Sequence, residues 1–201
     1  MELKILTKSI YYLPHEPEVD RPMLSYVKGE KYSLAIDAGY SFCHVKDFYE
    51  AIELNKFKIP DFTVITHWHY DHTFGMHAIK GVSIAHGKTN EFLKEQQKQA
   101  QDSHYIDVLK KEDIHFRKEY DKCDCLNIVF SDTTCIYVPE ERVLFLGDST
   151  SEDFFNDGYM DKDKMNSLIQ TIRSIDCKYC VLSHCEPLEK EELLYYLESV
   201  I

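Results

Sequence analysis

The run Phe62-Thr63-Val64-Ile65-Thr66 constrains this chain most, because five β-rich, largely apolar residues break directly into His67-Trp68-His69-Tyr70-Asp71-His72. A short apolar run of this kind reads as a buried strand. The polar hexad then falls at the strand's end, where a loop on a rigid sheet scaffold carries binding or catalytic groups. The spacing elsewhere repeats the theme. Strands are expected at Leu3 to Tyr12, at Met23 to Val27 and, after a turn at Lys28-Gly29-Glu30, at Tyr32 to Asp37. Val45, Phe48 and Ile52 recur at helical spacing within His44 to Phe57, and Pro60 stops that helix. Gly87 to Ile114 is polar and reads as helical. Asn127 to Val138 and Arg142 to Leu146 form a hairpin about Pro139-Glu140-Glu141, with Gly147-Asp148 ending the second strand. Met165, Leu168, Ile169, Ile172 and Ile175 make an apolar helical stripe, Tyr179 to Ser183 a strand, and Leu193, Leu197 and Val200 a closing amphipathic helix. Strands first and then strands mixed with helices indicate α/β layers.

With 201 residues, 44% of them hydrophobic, the chain suits one domain spanning 1–201. A formal charge of -12 repels phosphate backbones, which argues against nucleic acid and favours a small-molecule substrate. No stretch approaches the roughly 18 apolar residues of a membrane span, and the first residues lack a signal-peptide pattern, so a cytoplasmic protein is expected. Seven cysteines at 43, 123, 125, 135, 177, 180 and 185 are read as reduced thiols. Cys177-x-x-Cys180 runs into an expected core strand without a second pair, which suits buried structural cysteines better than a zinc knuckle.

Three imidazoles and a carboxylate within six residues are ligands suited to zinc, iron or manganese. In an extended loop His67 and His69 point the same way, and once the chain turns helical Asp71 and His72 can face a second ion. Two further candidates stand at strand ends: Asp148 after Val143-Leu144-Phe145-Leu146-Gly147, and His184 after Val181-Leu182-Ser183. The scattered His15, His44, His77, His86 and His104 are read as surface or core residues instead.

His-x-His-x-Asp-His at 67–72 resembles the signature of the metallo-β-lactamase superfamily. The resemblance extends to Ile36-Asp37-Ala38-Gly39, to the Pro139 to Asp148 stretch and to Ser183-His184. It implies a four-layer αββα sandwich. It also implies His67 and His69 at one metal position, Asp71, His72 and His184 at another, Asp148 shared, and one or two zinc ions per chain. One departure stands out: where the family supplies a third histidine to the first position, this chain has Phe130 or a neighbour. Water or one of Cys123, Asp124, Cys125, Asp132 and His115 would complete that site.

The expected chemistry is hydrolysis of a small ester, thioester or lactone by a metal-activated hydroxide, with Asp71 orienting it or accepting a proton. Two alternatives belong to other classes. An iron-dependent oxidoreductase of the same fold is one. A metal-binding sensor module with reduced catalysis is the other.

Overall fold

A computed structural model of the chain describes residues 2–100, 102–123, 136–148 and 162–199. The chain divides into two compact units, Met1–Thr134 and Cys135–Ile201.

The first unit carries a six-stranded sheet in the order β1 (Lys4–Ile5), β2 (Ile10–Leu13), β3 (Leu24–Lys28), β4 (Ser33–Ile36), β5 (Phe62–Val64), β6 (Val82–Ile84). β1 to β4 run antiparallel, whereas β4, β5 and β6 are parallel neighbours. Parallel strands need crossovers. The β4 to β5 crossover is helix α1 (Phe42–Leu54), which buries His44, Val45, Phe48, Tyr49, Ala51 and Ile52. Ser41 caps it, its Oγ accepting from the His44 amide at 3.2 Å. That buried face packs with Leu13, Leu24, Tyr26 and Ala35 of the sheet. The short helix α2 (Tyr70–Thr73) follows β5, and β6 is a strand not expected from the sequence pattern.

The polar stretch expected as one helix is two, α3 (Gly87–Ala100) and α4 (Ser103–Glu112), with Asp102 capping the second through its carboxylate. A further helix, α5 (Ile114–Lys122), extends beyond the expected boundary. Its N-cap is Asp113, whose Oδ1 accepts from the amides of His115 at 2.7 Å and Phe116 at 3.0 Å. Phe116 joins Tyr40 and Phe74 in a buried aromatic cluster, with Tyr70 and Tyr120 packed against it.

Cys43 and Cys123 are joined in a disulfide, which corrects the reading of these two cysteines as reduced thiols. α1 and the end of α5 bring their Cα atoms to 6.0 Å, inside the span that a disulfide bridges. Eighty residues separate the pair in sequence, so spacing gave no sign of it.

The second unit carries a four-stranded sheet in the order β10 (Leu188–Glu189), β9 (Tyr179–Leu182), β8 (Val143–Gly147), β7 (Ile136–Val138). The expected hairpin is β7 with β8; its first residues, from Asn127 to Cys135, lie outside those described. α6 (Lys162–Ser174) and α7 (Lys190–Ser199) cover the sheet. The expected stripes on these helices are where the core forms: Met165, Ile169 and Ile172 meet Leu193, Leu194 and Leu197 over Leu144, Leu146, Cys180 and Leu182.

Cys177 and Cys180 are buried in this core, as expected. Burial, with Cys177 adding to it, pushes the Cys180 thiol up to about 12. Thiolate is the reactive form. Native protein treated with iodoacetamide at pH 8 is therefore expected to leave Cys177 and Cys180 unmodified by peptide mass mapping. Rapid labelling of either would contradict the packing described.

Candidate metal centre

β4 and β5 are parallel, so both end on the same side of the sheet, where open α/β sheets place their ligand sites. The loop after β4 holds Asp37 and Gly39 at positive φ, 65° and 67°. Their backbone meets the turn after β5 directly. The Ala38 amide donates to the His72 carbonyl at 3.0 Å, and the Gly75 amide to the Gly39 carbonyl at 3.0 Å. Contact is so close at Gly75 that an added Cβ would run into the carbonyl oxygens of Ala38 and Ser41 and the Val45 side chain. Gly75→Ala is expected to cost about 3 kcal/mol, the upper end of the usual overpacking range. Urea unfolding measures it; a loss below about 1 kcal/mol would contradict the approach.

Asp37, 3% exposed, ties the end of β5 to the histidine turn. Its carboxylate accepts from the Thr66 amide at 2.6 Å and from the Thr66 hydroxyl at 2.8 Å. It also lies 2.9 Å from Nδ1 of His72. A carboxylate only accepts, so Nδ1 of His72 carries the proton and Nε2 is left with its lone pair. Thr66 repeats this logic. Its O–H is committed to Asp37, so at 3.1 Å it accepts from Nδ1 of His67, which again makes Nε2 the nitrogen that carries the lone pair. A carboxylate behind a histidine is the common outer support of metal-binding imidazoles. In sequence Asp37 reads only as part of a turn, and local pattern gives no sign of this role.

The hexad converges. The His67 ring lies 4.6 Å from that of His69 and 4.1 Å from that of His72. Nε2 of His72, a residue with no exposure, lies 3.1 Å from Oδ2 of Asp71. Thr73 helps shape the turn, its hydroxyl donating to the His69 carbonyl at 2.9 Å. Imidazole nitrogens and a carboxylate oxygen grouped in this way fit a divalent ion of zinc's type. Trp68 lies over the same turn. Its ring stands 4.6 Å from that of His69 and stacks at 5.6 Å on Phe92, and both aromatics are exposed.

In the second unit, β8 and β9 are parallel, so Asp148 and His184 emerge at one end of that sheet. Nε2 of His184 lies 3.6 Å from Oδ1 of Asp148. Among the residues considered as replacements for the missing histidine, Cys123 is bonded to Cys43 and is no thiolate ligand. His115 lies in the first turn of α5 and joins no cluster of ligand atoms among the described residues. Asp124, Cys125, Phe130 and Asp132 lie outside the described residues. The lone His15 pairs with Asp20 at 2.9 Å, and buried His44 accepts the Tyr40 amide on Nδ1 at 3.2 Å.

No family model and no curated protein sequence matches the chain. Solved structures do. The DIM-1 metallo-β-lactamase superposes with a TM-score of 0.62 at 17% identity, covering 100% of this chain and 97% of that one. FIM-1 from Pseudomonas aeruginosa, in its mono-zinc form, gives 0.60 at 15% identity, covering 100% and 97%. A double mutant of the sec-alkyl sulfatase PisA1 gives 0.59 at 11% identity, covering 99% of this chain and 40% of that one.

Proposed function

We propose that this chain, which has the metallo-β-lactamase fold, is a metal-dependent hydrolase acting on a small ester, thioester or lactone. The observation that carries the reading is the turn in which His67, His69, Asp71 and His72 converge while Asp37 fixes the tautomer of His72. A chain that needed these residues only for packing would have no reason to set His72 between two carboxylates, Asp37 on Nδ1 and Asp71 on Nε2, with the rings of His67 and His69 beside it. The pairing of Asp148 with His184 in the second unit supports a contribution of both to the same function, with zinc as the first choice of metal and iron or manganese as others.

Bound divalent ions supply a water acidified toward neutral pH and polarisation of the substrate's carbonyl oxygen. The protein does the rest. Nε2 of His67, of His69 and of His72 with the Asp71 carboxylate would hold metal. Asp71, 13% exposed, is also suited to orient the attacking water or take its proton. Trp68 and Phe92 offer an exposed apolar surface beside His69 that suits the acyl or leaving group of a small substrate. The net charge of -12 favours such a molecule over nucleic acid. Among the described residues no helix is long and apolar enough to cross a membrane.

The test is turnover by the zinc-loaded protein across esters, thioesters, lactones, β-lactams and phosphodiesters. Hydrolysis of at least one member of the first three classes is expected, abolished by a chelator and restored by zinc. No turnover on any member would end the hydrolase reading.

A further inference from the structure

Tyr70 stands between two of the proposed ligands, His69 and Asp71, yet its side chain serves another part of the molecule. Its ring packs against Tyr40 at 5.7 Å, Phe74 at 5.7 Å and Phe116 at 5.4 Å. Its hydroxyl donates to Oδ2 of Asp113, 43 residues away. Asp113 therefore uses both carboxylate oxygens, one on the amides that begin α5 and one on the residue that begins α2.

The far side of the contact is firmly held. Glu119 of α5 receives two hydrogen bonds from buried Arg21, each 2.9 Å, and a third from Ser41, the N-cap of α1. Cys123, immediately after α5, is bonded to Cys43 in the first turn of α1. An aromatic side chain anchored to so fixed a helix restricts the backbone it grows from, and here that backbone carries His69 on one side and Asp71 on the other.

We infer that Asp113, acting through the Tyr70 hydroxyl, is a positioning residue that holds the His69-Tyr70-Asp71 turn in ligand geometry. The inference rests on the metal-centre reading. A ligand set that must be assembled at the moment of binding pays an ordering cost that a set already in place avoids, and outer supports of metal ligands are typically worth 10–100-fold in affinity. Because Tyr70 acts through the backbone and not on a ligand atom, the lower end applies.

The experiment measures zinc affinity by competition with a chromophoric chelator, alongside Tm, for Tyr70→Phe, Asp113→Asn and the double variant. Ile52→Val, a core change on α1, controls for simple loss of stability. Each single variant is expected to bind zinc about tenfold more weakly, the low end of that range. The double variant should be little weaker than either single one, since both remove one interaction. Ile52→Val should lower Tm without weakening zinc binding. Wild-type affinity in Tyr70→Phe and Asp113→Asn, with Tm alone reduced, would overturn the positioning role and leave the metal reading intact. A wild-type chain that binds no zinc would overturn both together.

Discussion

Arg21→Ala is expected to destabilise the protein by about 3–5 kcal/mol, the range for removing one partner of a buried ion pair. Arg21 has no exposure at all. Its Nε and Nη2 donate to the two oxygens of Glu119 at 2.9 Å, and Nη1 donates to Asp47 at 2.9 Å and to Glu16 at 3.2 Å. Burial pulls the guanidinium pKa down, but Glu119, Glu16 and Asp47 more than reverse this, so the group remains charged. Removing it strands Glu119, itself 2% exposed, with Ser41 as its remaining hydrogen-bond donor among the contacts described. The loss comes from the stranded charge more than from the missing contact, so Arg21→Met combined with Glu119→Gln should recover part of it. Urea unfolding of the three proteins decides this. A cost below about 1 kcal/mol for Arg21→Ala would mean that the network contributes little.

His72→Ala is expected to lower activity on the best substrate of the panel by about a thousandfold or more, since losing a ligand forfeits several kcal/mol of metal-supplied stabilisation and each 1.36 kcal/mol is tenfold in rate. Metal should be lost with it. Asp37→Asn leaves the ligand present and weakens only its support, so it should cost about 10–100-fold. The order of the two variants matters as much as their size. If His72 were merely a satisfied core histidine, its loss would lower Tm while metal content stayed at the wild-type level. That result would remove it from the site.

The parts of this site that were legible in sequence are those set by local spacing. His67 to His72 lie in one hexad after a strand, and Asp148 and His184 each follow an apolar run, so strand-end spacing made them candidates and the superfamily resemblance supplied their expected ligand roles. The stripes of α6 and α7 were legible for the same reason. Contacts over long separations were not. Glu119 meets Arg21 across 98 residues, Asp113 meets Tyr70 across 43 and Cys123 meets Cys43 across 80, and nothing in local pattern encodes such pairings. α5 is not legible because Phe116 and Tyr120 are the only large apolar residues recurring at helical spacing after Ile114, too few for a stripe. β6 is not legible because Val82 and Ile84 are exposed and only three residues pair.

The proposed function requires that the histidine turn hold metal. Elemental analysis tests it most directly, on wild type and His72→Ala, purified without added metal and again after reconstitution with zinc, manganese or iron. One or two metal ions per wild-type chain are expected, zinc the most firmly held, with a reduced count in His72→Ala. Wild-type protein that retains no metal under any of these conditions would contradict it.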